Sequence, residues 1–277
     1  MQTMRLQDEE VLNGYDAVSF LYPHIPSLSH WRAWEYAAYQ HHRLDGRILD
    51  LGCGDGRYFR LVWPQATNVV GVDQNPGVAD LARQSGVYRE IHVAPAHDVP
   101  EPDAGFDHVF ANCSLEHMDQ LDAVLAEIHR CLRHGGSLLC SVVTDRYVQW
   151  SLLPYLVAQA GYSDVAVALK RDFINYHHLV NPLSVDEWAN SFRRAGLIPE
   201  KHIPILPIYN SGITLLMDSL WHVKRAGGGE LSDVIFPFLS VNASFPTAFR
   251  KMLAGLLGME NDWHDCSGAV FLVRKPG

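Results

Sequence analysis

The chain has 277 residues, enough to bury a sizeable core in one large α/β domain with insertions. Its formal net charge of −9 and the lack of any lysine or arginine run exclude a nucleic-acid footprint; Arg193–Arg194 and Lys224–Arg225 are only pairs. No stretch reaches the ~20 apolar residues that cross a bilayer, the opening MQTMRLQDEEVLNG has no apolar signal region, and 5 widely spaced cysteines without a CxxC read as reduced core thiols of a cytoplasmic protein.

In chain order, the patterning predicts helices over Glu9 to Phe20 and Ser29 to His42, lying over a ligand site. Ile48 to Arg60 (ILDLGCGDGRYFR) then reads as a buried strand, Arg47 to Leu51, running into a glycine turn and a helix that starts near Asp55. Gly52, Gly54 and Gly56 accept positive φ and let a ligand approach the backbone with no Cβ in the way. The helix start aims free N–H groups at the turn, a geometry suited to a nucleotide-like ligand. The spacing G-x-G-x-G differs from the dinucleotide fingerprint G-x-G-x-x-G, whose third glycine position holds Arg57, and no Gly-Lys-Ser/Thr of a P-loop follows. A second apolar strand, Asn68 to Val72, ends in Asp73, where a carboxylate is placed to accept hydrogen bonds from two vicinal ribose hydroxyls. Asn75 and Pro76 open the next helix, Gly77 to Arg83.

Three further strands are predicted at Glu90–Val93, His108–Ala111 and Ser137–Val143. Between the last two, Leu121, Val124, Leu125, Ile128 and Leu132 recur at helical spacing, with Asp119 as N-cap and Gly135–Gly136 as the stop. Residues 145–182 and 209–262 carry many aromatic residues but no strand set of their own, and are expected to be helical lids. Between them Ser184 caps a helix, Val185 to Ala195, stopped by Gly196 and followed by a strand at Leu197 to Ile205. Ala269 to Val273 is the closing strand.

ILDLGCGDG, then VVGVD, then FDHVFANCSLEHMDQLDAVLAEIHRCLRHGGSLL resemble the class I S-adenosylmethionine (SAM)-dependent methyltransferases, in the branch of quinone, sugar and natural-product enzymes of secondary metabolism. The resemblance covers Tyr15 to Val143 well and Leu183 to Ile203 loosely. It implies a Rossmann-like, seven-stranded, mostly parallel sheet with helices on both faces, in one domain over 1–277. The core is expected at about 44–144, 183–206 and 266–274, with a helical cap at 8–43. It also implies SAM contacts from Tyr15, Asp50, Gly52, Gly54, Gly56, Asp73, Gln74, Ala96, His97, Asp98 and Asn112. One departure stands out: Pro95 occupies the place where relatives carry an acid for the adenine amino group, which leaves His97 or Asp98 for that task, with the Ala96 N–H placed to meet the adenine ring.

Methyl transfer from a sulfonium is an in-line displacement that needs alignment and exclusion of water, and a hydroxyl acceptor also gains from a base. His117, in NCSLEH past the fourth strand, is the candidate base, since the carboxyl ends of parallel strands face the ligand crevice. His177–His178 reads as a solvated pair and His41–His42 as surface. Neither joins a carboxylate cluster with metal-ligand spacing, and no metal is expected. Tyr15, Tyr22, Trp31 and Trp34 are candidates to face the sulfonium. The expected acceptor is an apolar small molecule, methylated on oxygen. The rival readings are C- or N-methylation, a non-methylating cyclisation or rearrangement that uses bound SAM, and a non-catalytic interaction protein.

Overall fold

The computed structural model describes residues 1–277. Its strands are β1 (Gln2–Thr3), β2 (Ile48–Leu51), β3 (Val69–Asp73), β4 (Glu90–Val93), β5 (Phe106–Asn112), β6 (Leu132–Val143), β7 (Ile198–Ile205) and β8 (Gly268–Arg274). They form one eight-stranded sheet in the order β1-β7-β8-β6-β5-β2-β3-β4. Every pairing is parallel except those of β8, which runs antiparallel between β6 and β7. The expected sheet had seven strands. The eighth is β1, which pairs Gln2 with Lys201 and Thr3 with His202, too short to carry a hydrophobic pattern.

Helices cover both faces, and the strand residues sort between two apolar cores accordingly. Leu49, Leu51, Leu138, Cys140 and Val142 join α5 (Leu121–Cys131) and α9 (Val185–Arg194) in one core. Ile48, Leu139 and Val143 face the other, built on α1 (Asp8–Val18), α2 (Pro26–Tyr39) and α3 (Arg57–Val62). In α1, a Cβ on Gly14 would run into the Ala33 carbonyl, so glycine there sets how closely α1 and α2 cross. Local signals hold where they are strongest. Asn75 caps α4 (Pro76–Ser85) by accepting from Gly77 and Val78 N–H, and Ser184 and Glu187 form a capping box on α9.

Three local expectations differ from the structure. The turn's helix starts at Arg57, because Gly56 at φ 74 still belongs to the left-handed turn. Asp119 is not an N-cap: a 3₁₀ turn at Leu115–His117 delays α5, and Gln120 precedes its first residue. Gly135–Gly136 does not stop α5 either, since the helix ends at Cys131 and Gly135, at φ 74, lies inside β6.

The two expected lid segments are helical: α6 (Asp145–Gln149), α7 (Leu152–Gln159) and α8 (Ser163–Tyr176), then α10 (Ile208–Trp221), α11 (Ser232–Ser240) and α12 (Phe245–Leu257). Tyr147, Phe173, Leu215, Phe249 and Leu253 insert into the core shared with α1 and α2. Arg250 of α12 also grips Asp16 of α1 through Nε, at 2.7 and 2.9 Å. No helix is long and apolar enough to cross a membrane.

Candidate active site

A cleft of about 410 Å³ opens at the carboxyl ends of the parallel strands, where Gly52, Asp73, Gln74, Ala96 and His97 line it. Its floor is the glycine turn. Gly52 and Cys53 N–H both donate to the Val72 carbonyl, which ties the turn to β3. Asp73 closes the arrangement: Oδ2 accepts from Gly54 N–H and Oδ1 from Asn75 N–H at 2.9 Å. Each oxygen keeps a lone pair for a ligand hydroxyl. A Cβ on Gly54, at φ 57, would meet nothing within 4 Å, so the glycine leaves open space above the turn.

Behind the cleft lies a second cavity of about 190 Å³ between the sheet, α2 and the helical insertions. Trp31, Tyr147 and Leu179 give it apolar walls, and Arg32, Glu116, His177 and Asp218 give it polar, ionisable groups. Cys113 and His117 line both spaces and therefore mark their junction. The His117 Nδ1 lies 3.3 Å from the His178 carbonyl, which only an N–H can satisfy, so Nε2 keeps its lone pair. Partial burial lowers the pKa of this imidazole and favours the neutral form.

The junction rests on a polar knot that the sequence did not announce. Glu35, fully buried in α2, accepts from Arg32 Nη1 (2.6 Å), Trp31 Nε1 (3.0 Å), Ser141 Oγ (2.6 Å) and the Cys113 thiol (2.9 Å). These bonds hold Cys113 at φ 44, a strained value for a residue with a side chain. Glu116 is different. It is fully buried, neither carboxyl oxygen has a partner, and burial raises its pKa to about 8.

Several residues expected to touch the cofactor sit elsewhere. Tyr15 is 1% exposed and packs 5.7 Å from Phe249, because α12 covers that face of α1. Asp50 lies beneath the turn and accepts from Tyr88 OH at 2.6 Å. A Cβ on Gly56 would meet the same Tyr88 ring, so that glycine serves packing. Asp98 does not line the cleft, and its N–H donates to the Pro95 carbonyl. Asn112 faces Tyr39 OH at 2.7 Å and, with its amide oxygen toward Arg32, joins the polar knot. Trp34 packs on Trp263, whereas Trp31 reaches the second cavity. His42 is buried, not surface, and burial lowers its pKa to about 4. His177 is not solvated: it meets Asp218 at 2.7 Å, a partner 41 residues away that no local pattern reveals. Met118, Asp119 and Gln120 line the cleft, although of the three only Asp119 drew a reading from the sequence, as an N-cap.

Residues 49–140 match the model of a methyltransferase domain. A demethylmenaquinone methyltransferase of Symbiobacterium thermophilum is 27% identical over 56% of this chain and 65% of its own length. A ubiquinone biosynthesis O-methyltransferase of Aromatoleum aromaticum is 27% identical over 65% and 78%. A malonyl-acyl-carrier-protein O-methyltransferase of Serratia marcescens is 34% identical over 37% and 40%. Among solved structures, the cyclase SpnF superposes with a TM-score of 0.55 at 21% identity, covering 88% of this chain and 82% of that one, a likeness of fold alone. Glycine turn, Asp73 and sheet order define a class I SAM-dependent methyltransferase domain. Residues 49–140 carry that domain, whose cofactor is SAM. The chain spans less than two thirds of the length of the first curated relatives it matches.

Proposed function

We propose that the chain transfers the SAM methyl group to an oxygen of a small-molecule acceptor held in the second cavity. The observation that carries this reading is the shared lining: Cys113 and His117 are where a cofactor in the cleft and an acceptor behind it would meet. The residues present fit SAM, since the Asp73 carboxylate stands where ribose hydroxyls are expected and Gly54 leaves open space over the turn. When bound, SAM supplies an electrophilic methyl group on a sulfonium. The chain's part is to align the acceptor, keep water out and receive a proton.

His117 is the proposed base. Its Nδ1–H is directed to the His178 carbonyl, which leaves Nε2 to take the acceptor's hydroxyl proton. The mixed lining favours an acceptor with an apolar ring or chain and polar substituents, a more polar molecule than the aromatic content of the insertions suggests. The test is incubation with SAM and a panel of hydroxylated quinone-like, phenolic and sugar acceptors. S-adenosylhomocysteine formed in step with an O-methylated product supports the reading. A product formed with SAM unconsumed would replace it with a non-methylating use of the cofactor.

A further inference from the structure

The insertions carry a second constellation of side chains that methyl transfer as described leaves unused. His177, just after α8, Asp218 on α10 and His222, at the end of α10, offer two imidazole nitrogens and a carboxylate within 4.8 Å of one another. Asp218 stands between the two rings, with Oδ2 2.7 Å from His177 Nε2 and Oδ1 4.0 Å from His222 Nε2. Ligand atoms held tetrahedrally at 2.0–2.2 Å from one ion lie about 3.3 Å apart, a value that these two separations bracket. Small side-chain rotations would therefore bring all three into one coordination sphere.

The surroundings suit a metal ligand set. The other nitrogen of His222, Nδ1, faces Glu230 Oε2 at 3.0 Å, and Lys224 holds the second Glu230 oxygen at 2.5 Å. A carboxylate behind an imidazole fixes the tautomer that leaves Nε2 free to coordinate, and raises its basicity. The Tyr176 ring stacks on His222 at 3.5 Å and holds its plane. All three donors are largely buried, with side-chain exposures of 18%, 16% and 15%. His177 and Asp218 also line the second cavity, so a fourth coordination position would open toward its contents.

We infer that His177, Asp218 and His222 form a binding site for a divalent transition metal in the wall of the second cavity. Two imidazoles and one carboxylate select an ion of the zinc, cobalt or iron(II) class over magnesium or calcium. Three protein ligands leave a position for an oxygen of the bound molecule, which narrows the acceptor to one with a phenolate, carboxylate or similar anionic oxygen. That last step rests on the second cavity being the acceptor site; the metal site itself does not.

Metal binding is tested on the full chain, stripped with chelator and free of SAM and acceptor, by titration with Co²⁺ followed in the visible spectrum and with Zn²⁺ by calorimetry. One ion per chain is expected, with Co²⁺ bands of a four- or five-coordinate site. Asp218→Asn and His177→Ala should abolish the bands, and Glu230→Gln should weaken binding by about 10–100-fold. His178→Ala, at the exposed neighbour, should bind as the native chain does. Thermal melts identify any variant that does not fold, and the isosteric Asp218→Asn then decides. No saturable binding, or binding that survives Asp218→Asn, would overturn the site and reduce the three residues to a hydrogen-bonded clasp between the insertions. Because SAM binding is measured separately, either result leaves the methyltransferase reading standing.

Discussion

Gly54 N–H donates to Asp73 Oδ2 at 3.2 Å, so the residue placed to hold ribose also holds the turn beside which the cofactor lies. Asp73→Ala removes an acceptor for two ligand hydroxyls and two backbone N–H groups together. SAM affinity should fall by about 1.5–3 kcal/mol, read by calorimetry. Asp73→Asn keeps a neutral acceptor and should lose less. A Cβ at Gly54 meets no protein atom, but Gly54→Val is strained at φ 57 and projects into the open space, so it should abolish binding. Equal binding by wild type and Gly54→Val would remove the turn from the cofactor site.

Asp50 supplies a prediction about pH. Burial raises its pKa to about 7, against which the bond from Tyr88 works only in part. The unfolded chain releases this proton near pH 4, whereas the folded one keeps it to about pH 7. The folded state therefore binds more protons over that window, and stability falls as pH rises through it, by at most about 1.4 kcal/mol per pH unit for one group. Asp50→Asn retains an acceptor for Tyr88 and cannot ionise. Its melting temperature, relative to wild type, should gain steadily between pH 4 and 7. Parallel pH profiles for the two proteins would show that Asp50 is solvated or paired in the folded state.

The glycine turn, Asp73 and the α9 cap were legible because each is written within a few consecutive residues whose backbone needs and chemistry coincide. The second cavity was not, because Trp31, Glu116 and Asp218 come from the cap, the core and an insertion. The same reason hid the contact of His177 with Asp218, and it made Tyr15 look like a cofactor residue when α12 buries it. Periodicity located α5 but not its start, since a 3₁₀ turn at Leu115–His117 comes first and the helix begins at Leu121, past the expected cap at Asp119.

The insertions should not move as units. Helix α11 buries no residue and leaves Phe238 74% exposed, and Val241 just after it is 84% exposed. By contrast α12 buries Phe249, Leu253 and Leu257 and is tied to Asp16. Hydrogen exchange should be fastest across 222–244 and slow across 249–257 in the ligand-free chain. Val180 and Asn181 N–H, both bonded to the Glu116 carbonyl, should gain protection when S-adenosylhomocysteine and product bind together. Uniform, ligand-independent protection of 145–182 and 209–262 would make both segments ordinary core and leave no lid.

His117 carries the riskiest prediction. It lines both cavities, its Nδ1 is committed to the His178 carbonyl, and its lowered pKa keeps Nε2 unprotonated at neutral pH. For a hydroxyl acceptor, His117→Ala should leave SAM affinity nearly unchanged and lower kcat by roughly 10²–10⁴-fold. The wild-type rate should hold through neutral pH and fall only below the ordinary histidine range, because the depressed pKa delays protonation. The variant should lose that acid limb along with its rate. If kcat survives in His117→Ala, proton removal does not depend on this side chain. Alignment alone would then suffice, as for a carbon or neutral amine acceptor, and the oxygen assignment would fall with the base.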